Sequence, residues 1–299
     1  MNILWLILDD FTMKKWYNSI ICKILRRNTV MNLGFCPLAS SSSGNCYLIK
    51  SDSTNILVDA GISGSKIYEC LKELKISPDQ VDAVLLTHEH GDHVRSAATL
   101  AKKTVNAVFY ATRGTIEGME RRFASVPGER LVTINGSQNF EVGDIKVTAF
   151  ETSHDAAEPV SYFFCRKNKK IAIVTDTGVI TPAIEEAIKD ADILILESNH
   201  EVNILLYGRY PYNVKHRILS NIGHLSNEAA GECLCGFLRD RNSDNVPCVY
   251  LAHLSKENNT PQQAMLTVKN ILEEENFYIG RHLLLEVLNQ KDRGDLVTI

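Results

Sequence analysis

The chain has 299 residues with 32 lysines and arginines against 36 aspartates and glutamates, a formal net charge of −4 at pH 7. Its 44% hydrophobic and 23% charged residues are ordinary for one large globular domain or two smaller ones and exclude a disordered chain. No apolar run of about 18 residues is present, so stable membrane insertion is not expected; the acidic balance argues against charge-driven coating of nucleic acid but allows a local basic groove.

The first thirty residues differ in character from the rest of the chain. A secretory signal places basic residues before its apolar run, whereas here Asp9 and Asp10 follow a short apolar run and the basic residues come later. We interpret residues 1–30 as an extension without a clear function, ahead of a second plausible start at Met31. The alternative is an amphipathic surface anchor between Lys14 and Arg27. Residues 31–299 are predicted to form the functional domain.

The eight cysteines are scattered along the chain and form no C-x-x-C pair. In a chain of this size, such a distribution is typical of reduced core thiols in a protein of a reducing compartment. We therefore expect a cytoplasmic protein, and we expect its metal sites, if any, to use ligands other than thiolates.

From Met31 onward, short β-branched runs alternate with amphipathic helical stretches, which predicts an α/β fold. Two of these runs, ILVDAG at 56–61 and AIVTDTG at 172–178, end in Asp-x-Gly. Two similar α/β halves, each with an aspartate at the same rim of the fold, would produce this repeated motif. The predicted strands are 55–59, 83–87, 107–110, 145–150, 160–165, 171–175, 193–197, 248–252 and 283–287.

Helices are predicted from apolar spacing and from capping residues. Apolar residues repeat at helical spacing between 66 and 75. Thr181-Pro182 and Thr260-Pro261 each place a capping residue before a proline at the first helical position, and Gln263 is expected to complete a capping box with Thr260. Ser226 is expected to cap a helix that runs through to about Leu238.

The strongest chemical signal is the segment HEHGDH at 88–93, directly after a predicted strand. In an extended turn His88 and His90 point the same way, because side chains alternate with period two. Asp92 and His93 open the next helix and face the same space. Two adjacent ligand pairs favour two metal ions held side by side.

Further potential ligands follow other predicted strands. His154, Asp176 and His253 each come directly or closely after a strand, and an aspartate between two cations can bridge them. Because these positions share one presumed rim of the fold, we expect them to converge on the 88–93 segment.

The order of Asp59, HEHGDH, His154, Asp176 and His253 resembles that of the metallo-β-lactamase superfamily over nearly all of residues 31–299. The resemblance implies an αββα four-layer sandwich with a two-metal site at one edge. It implies that Asp59 orients the histidine loop and does not itself bind metal. It assigns the first metal to His88, His90 and His154, the second to Asp92, His93 and His253, and the bridge between them to Asp176.

The surrounding motifs resemble the WalJ/YycJ branch of that superfamily. They are SSSSGNC (40–46), ESNH (197–200), GRYPYNVKHRI (208–218) and GHLSN (223–227). Members of this branch are described as bacterial nucleases with 5′-to-3′ exonuclease action on DNA, so the resemblance implies a DNA substrate. GHLSN also resembles a motif of tRNA-processing members, in which a glutamate supports a histidine. Glu197 and His224 match that pair.

These resemblances imply a dinuclear metallophosphodiesterase in which Asp92, His224 and Glu197 are catalytic. His224, held by Glu197, is the expected proton donor to the leaving oxygen. His200 is a second candidate for this acid or a phosphate ligand, and Ser255 is a candidate hydrogen-bond donor to phosphate. Arg209, Lys215 and Arg217, interleaved with tyrosines, suit phosphate neutralisation and base stacking, although a solvated face would look the same.

Two divalent metal ions per chain are expected, and all-His/Asp ligation accommodates Zn, Mn or Fe. The polar turn at Ser41–Asn45 is either part of the site's rim or a simple hairpin turn.

Two rival functions stay open. One is a small-molecule metallohydrolase such as a glyoxalase II-like thioesterase, which also uses an H-x-H-x-D-H loop. The other is a non-catalytic regulatory partner of a signalling system, against which the intact ligand set argues.

Overall fold

The computed structural model describes residues 33–119, 126–243, 245–290 and 292–299, so the predicted extension at 1–30 lies outside the described residues. Two seven-stranded mixed sheets pack face to face, and helices cover the outer face of each sheet. This arrangement is the αββα sandwich that the resemblance to the metallo-β-lactamase superfamily implied. Among the described residues, no helix is long and apolar enough to cross a membrane.

The first sheet combines an antiparallel edge with four parallel strands. Its order is β14-β1-β2-β3-β4-β5-β6, in which the pairs from β3 to β6 are parallel and the remaining pairs are antiparallel. The strands are β1 (Gly34–Ala39), β2 (Cys46–Lys50), β3 (Asn55–Val58), β4 (Ala83–Leu85), β5 (Val108–Thr112), β6 (Leu131–Ile134) and β14 (Val297–Thr298).

The second sheet repeats this plan. Its order is β13-β12-β11-β10-β9-β8-β7, in which the pairs from β10 to β13 are parallel and the pairs from β7 to β10 are antiparallel. The strands are β7 (Asn139–Val142), β8 (Ile145–Glu151), β9 (Val160–Arg166), β10 (Lys169–Val174), β11 (Ile193–Glu197), β12 (Cys248–Ala252) and β13 (Leu284–Val287).

Strands β3 and β10 hold equivalent places in the two sheets. Each has an antiparallel neighbour on one side and a parallel neighbour on the other. An aspartate follows each strand with a left-handed backbone, φ 62° at Asp59 and φ 56° at Asp176. The repeated Asp-x-Gly therefore marks the same corner of two similar halves.

The helices begin at the predicted caps. Thr181 accepts a hydrogen bond from Ile184 N, Ser226 from Ala229 N and Thr260 from Gln263 N. The expected capping box at Thr260 is wrong, because the Gln263 amide donates to Thr267 and Glu201 instead, and Asn259 Oδ1 accepts from Thr260 N.

The helices in the described residues are α1 (Gly64–Glu73), α2 (Gly91–Val94), α3 (Ala97–Lys103), α4 (Arg113–Gly118), α5 (Pro182–Ile188), α6 (Val202–Tyr207), α7 (Tyr212–Ile218), α8 (Asn227–Asp240) and α9 (Pro261–Glu274), with 3₁₀ turns at Pro78–Gln80 and Gly128–Arg130.

Three apolar layers separate the four layers of secondary structure. Residues such as Tyr47 and Tyr162 fill the space between the sheets. Ile67 and Leu100 belong to the layer between the first sheet and α1 and α3, and Leu234 belongs to the layer between the second sheet and α5, α8 and α9. With both faces of both sheets buried, polar side chains collect at the rim where strands end.

Candidate metal centre

The candidate ligands come together at one rim of the sandwich. They follow the carboxyl ends of β4 in the first sheet and of β8, β10 and β12, which run in one direction in the second sheet. The backbones of Asp59, Asp176 and His253 are left-handed there, with φ between 56° and 62°. Such conformations cost about 1–3 kcal/mol each in residues other than glycine and collect at functional sites.

His88, His90 and His154 form a first cluster, in which one ligand atom from each lies within 4.8 Å of the others. The turn 88–93 supplies the first two residues, and the loop after β8 supplies the third. His154 Nε2 lies 3.3 Å from His90 Nδ1. These three imidazoles therefore present nitrogen atoms to one point.

Asp92, His93 and His253 form a second cluster within the same limit. Asp92 Oδ2 lies 3.6 Å from His93 Nε2 and 3.5 Å from His253 Nε2. Asp176 stands between the two clusters, because its Oδ2 is 3.2 Å from His93 Nε2 and its Oδ1 is 3.8 Å from His154 Nε2.

The hydrogen bonds at the back of each buried ring fix which nitrogen faces the centre. Nδ1 of His93 donates to Asp59 Oδ2 at 2.7 Å, and Nδ1 of His154 donates to Gly223 O at 2.9 Å. Nδ1 of His253 donates to Glu197 Oε1 at 2.7 Å. His88 Nδ1 lies 3.0 Å from the Thr87 hydroxyl. The lone pair of Nε2 is thus directed into the centre, as in metal-binding histidines held by an outer carboxylate or carbonyl.

The atoms that face the centre fit a cation. Nε2 of His88, Nε2 of His253 and Oδ2 of Asp176 are buried without a hydrogen-bond partner among the described residues, an arrangement that is costly unless a ligand satisfies them. Burial alone would lower the pKa of His93, but the carboxylates of Asp176 and Asp59 outweigh it and raise that pKa well above its ordinary value. The centre therefore attracts positive charge.

Glu197 lies fully buried behind both His253 and His224. Its Oε1 accepts from His224 Nδ1 at 2.9 Å as well as from His253, and its Oε2 accepts from the backbone N–H groups of Thr177 and Leu225. Burial raises the pKa of Glu197, but the two imidazoles outweigh burial and hold it below its ordinary value. The pairing of Glu197 with His224 that the sequence motifs implied is present in the structure.

The polar turn between β1 and β2 touches the second cluster, which its sequence alone left open. Asn45 is fully buried, its Nδ2 lies 3.1 Å from His93 Nε2, and its backbone N–H donates to Asp92 O at 2.8 Å. Ser40 Oγ accepts from His253 N at 3.0 Å and lies 2.9 Å from the Tyr47 hydroxyl. The turn thus shapes the rim of the site and contacts the ring of His93 and the backbone of His253 in the second cluster.

Of the basic residues predicted to contact substrate, Arg217 is beside the centre. Its guanidinium makes a two-pronged contact with Asp155, the neighbour of His154. Sequence reasoning did not single out Asp155; its position directly after a candidate ligand was the available signal. Lys215 lies two residues before Arg217 in α7. Its ammonium donates to Leu206 O and Gly208 O at 2.8 Å each. In this conformation Lys215 joins α6 to α7.

The remaining predicted substrate residues differ in exposure. Arg209 is exposed in the loop between α6 and α7. His200 is buried with neither ring nitrogen hydrogen-bonded, and burial lowers its pKa to about 4. Ser255 is also buried, and its Oγ accepts from Asn258 N at 3.2 Å, which closes the loop after β12. His200 is therefore a neutral ring at pH 7.

Comparison with known proteins agrees with this geometry. Residues 54–239 match the family model of the beta-lactamase superfamily domain. The chain is 38% identical over 250 residues to exodeoxyribonuclease YycJ of Bacillus anthracis, covering 84% of this chain and 93% of that protein. It is 37% identical over 245 residues to exodeoxyribonuclease WalJ of Streptococcus pneumoniae serotype 2, covering 81% and 89%.

A solved structure supports the fold independently. The metallo-beta-lactamase fold protein YhfI from Bacillus subtilis superposes with a TM-score of 0.65 at 15% identity, covering 88% of this chain and 98% of that chain. The His/Asp clusters at the rim are those of a metal-dependent hydrolase. The chain belongs to the beta-lactamase superfamily and, within it, to the family of the YycJ and WalJ proteins.

Proposed function

We propose that this protein is a dinuclear metal-dependent exodeoxyribonuclease that hydrolyses phosphodiester bonds of DNA in the 5′-to-3′ direction. One observation carries the proposal: His and Asp side chains from separate strand ends converge in two adjacent clusters, and the Nδ1 bonds of the buried rings leave Nε2 facing the centre. The names of the YycJ and WalJ relatives supply the class of substrate. The polarity rests on the resemblance alone.

In this proposal His88, His90 and His154 hold one divalent ion. Asp92, His93 and His253 would hold the other, and Asp176, which lies between the two clusters, would be shared by both. Two adjacent ions would supply a hydroxide near neutral pH and would neutralise the phosphate oxygens. Zn, Mn and Fe all suit imidazole and carboxylate ligands. Asp59 holds the His93 ring by its Nδ1, so it positions a ligand and does not bind metal.

His224 is the proposed donor of a proton to the leaving oxygen. Its side chain is 14% exposed, whereas those of His93, His154 and His253 are buried, so His224 is the imidazole of this group open to a substrate. The Glu197 carboxylate accepts a hydrogen bond from His224 Nδ1 and holds the ring in place, with Nε2 left for the substrate. Asp92 is proposed to act in the reaction as well as binding metal, because it contacts both imidazoles of its cluster.

The substrate strand is proposed to pass along the segment 202–227. This stretch contains no aspartate or glutamate, although acidic residues exceed basic ones in the chain as a whole. Arg209, Lys215 and Arg217 are its basic residues and the proposed phosphate contacts. His200 and Ser255 are proposed to donate hydrogen bonds to the phosphate group as uncharged side chains.

Residues 31–299 are proposed to form the whole catalytic domain, with residues 1–30 dispensable for activity. The protein is proposed to be located in the cytoplasm.

A nuclease digest tests the proposed function directly. End-labelled single- and double-stranded DNA and RNA are incubated with Mn, Zn or neither, alongside a thioester. We expect stepwise, metal-dependent shortening of DNA. Hydrolysis of the thioester with DNA left intact would establish the glyoxalase II-like alternative instead.

A further inference from the structure

The segment from Ile204 to Ile222 is unusually apolar for a protein surface. Of the twelve large hydrophobic side chains that are strongly exposed in the described parts of the chain, six lie in this segment. Tyr207 and Tyr212 are the most exposed of them, at 89% and 83%. Contiguous exposed apolar side chains of this kind mark interaction surfaces.

This apolar surface also carries positive charge. It lies within the acid-free stretch 202–227, which contains Arg209, Lys215 and Arg217. The Tyr212 ring pairs with that of His216 at 6.1 Å between centroids. A purely apolar protein partner would not need cations beside the aromatic rings. Aromatic rings flanked by cations suit a strand of nucleotides, because each base has a face to stack and each phosphate a negative charge.

The surface is connected directly to the metal centre. Arg217, at the end of α7, holds Asp155 beside His154. The carbonyl oxygen of Ile222 accepts from Asp155 N, and that of Gly223 accepts from the ring of His154. The carboxyl-terminal part of this segment therefore directly borders the candidate ligands.

The spacing of Tyr212 and Arg217 is that of a short run of nucleotides. The two residues are five positions apart in α7, which places them about 7.5 Å apart along the helix axis. Successive nucleotides in one strand of duplex DNA rise about 3.4 Å, and those of an unstacked strand lie further apart. Lys215 ties α6 to α7 through the carbonyls of Leu206 and Gly208, so Tyr207 is held close to this path.

We propose that Tyr207 and Tyr212 form a stacking surface for unpaired bases of a DNA strand whose terminal phosphodiester lies in the metal centre. This inference rests on the proposed nuclease function and adds that the protein engages an unstacked single strand next to the scissile bond. The bases within about two to four nucleotides of the end stack on the tyrosines, and the neighbouring cations hold the intervening phosphates.

The test uses the Mn-loaded full chain and a 12-nucleotide single strand with phosphorothioate linkages, which slow hydrolysis, and records binding before cleavage. Tyr207→Leu and Tyr212→Leu keep apolar bulk but remove the ring, whereas the two Tyr→Phe variants keep the ring. Tyr278→Leu is the matched control, because Tyr278 is an exposed tyrosine outside this segment. Anisotropy measures affinity, and 2-aminopurine fluorescence at successive positions reports stacking.

Each Leu variant is expected to weaken single-strand binding by roughly 5- to 100-fold, with loss of 2-aminopurine quenching near the end. The Phe variants and Tyr278→Leu are expected to bind as the unchanged protein does. Unchanged affinity in both Leu variants would overturn the stacking surface. So would Leu variants that bind DNA normally but shift from dimer to monomer in light scattering, which would assign the surface to a second copy. If the unchanged protein neither binds nor cleaves DNA, the proposed function itself fails.

Discussion

Glu197 and His253 share a 2.7 Å hydrogen bond through the same carboxylate oxygen that accepts from His224 at 2.9 Å. One buried carboxylate thus holds both a candidate metal ligand and the proposed acid. Metal binding and proton donation are coupled through Glu197. Substitutions at His224 and at Glu197 are therefore expected to differ in their effects on turnover and metal content.

His224→Ala is expected to slow DNA cleavage by about 10²- to 10⁴-fold with both metals retained, because the variant loses only the proton donor. Glu197→Gln is expected to lower turnover and metal affinity together, since it loosens His253 as well. Elemental analysis beside single-turnover rates separates these cases. Loss of metal from the His224→Ala protein would make His224 a ligand.

Asp92→Ala and Asp176→Ala are each expected to abolish Mn-dependent cleavage and leave a folded protein. Both side chains lie at the rim and not in the apolar layers, so far-ultraviolet circular dichroism should be unchanged. Asp144→Asn, remote from the metal centre in its contacts with Ser51 and Arg166, serves as an acidic control. Full activity after either rim substitution would refute the two-metal mechanism.

Asn45→Ala is expected to weaken metal binding at the second cluster by about 10- to 100-fold, because the Asn45 side chain holds the turn whose backbone positions Asp92. The amide beside His93 Nε2 and the turn that grips Asp92 O would both be altered. Calorimetric titration with Mn resolves the effect, and Ser42→Ala, an exposed change in the same turn, is the control. Equal affinities in the two variants would show that the turn does not position the ligands.

Much of the site follows from the sequence because its signals are local. Short β-branched runs predict the strands, and HEHGDH and the two Asp-x-Gly corners lie at the ends of those strands. Parallel strands bring such ends to one rim. The strand β10 and the aspartate that follows it are therefore correctly predicted as a unit. The implied pairing of Glu197 with His224 also matches the structure.

Other features depend on packing that no short segment encodes. Strand β1 was not predicted, because GFCPLA is buried throughout, contains a proline and has a bulge between Pro37 and Ala39. The contact of Asn45 with His93 joins residues 48 positions apart. The contact of Lys215 with two carbonyl oxygens at the end of α6 likewise depends on how two helices pack, which the sequence of neither helix encodes.

Metal removal is expected to lower the melting temperature of the folded protein. A ligand present at about 100 times its Kd stabilises the state that binds it by about 2.7 kcal/mol, which in a chain of this size corresponds to roughly 5–10 °C. Scanning fluorimetry with Mn, with a chelator and with Mn restored measures the change. His88→Ala should show a smaller shift, and an identical shift in this variant would place the stabilising ion elsewhere.

A chain that begins at Met31 is expected to retain full nuclease activity, because every residue assigned a role lies after that position. The measurement compares kcat/KM for DNA between this chain and the full-length protein at equal metal content. A truncated protein that is soluble and binds metal but does not cleave DNA would assign a function to residues 1–30.

The central claim is that imidazoles and carboxylates from distant parts of the chain hold a pair of cations. The most direct measurement is the metal content per chain after Mn loading and removal of excess, in the unchanged protein and in Asp176→Ala. The account predicts two ions per unchanged chain and fewer in the variant. A protein that binds no ion, or a content that Asp176→Ala leaves unaltered, would contradict it.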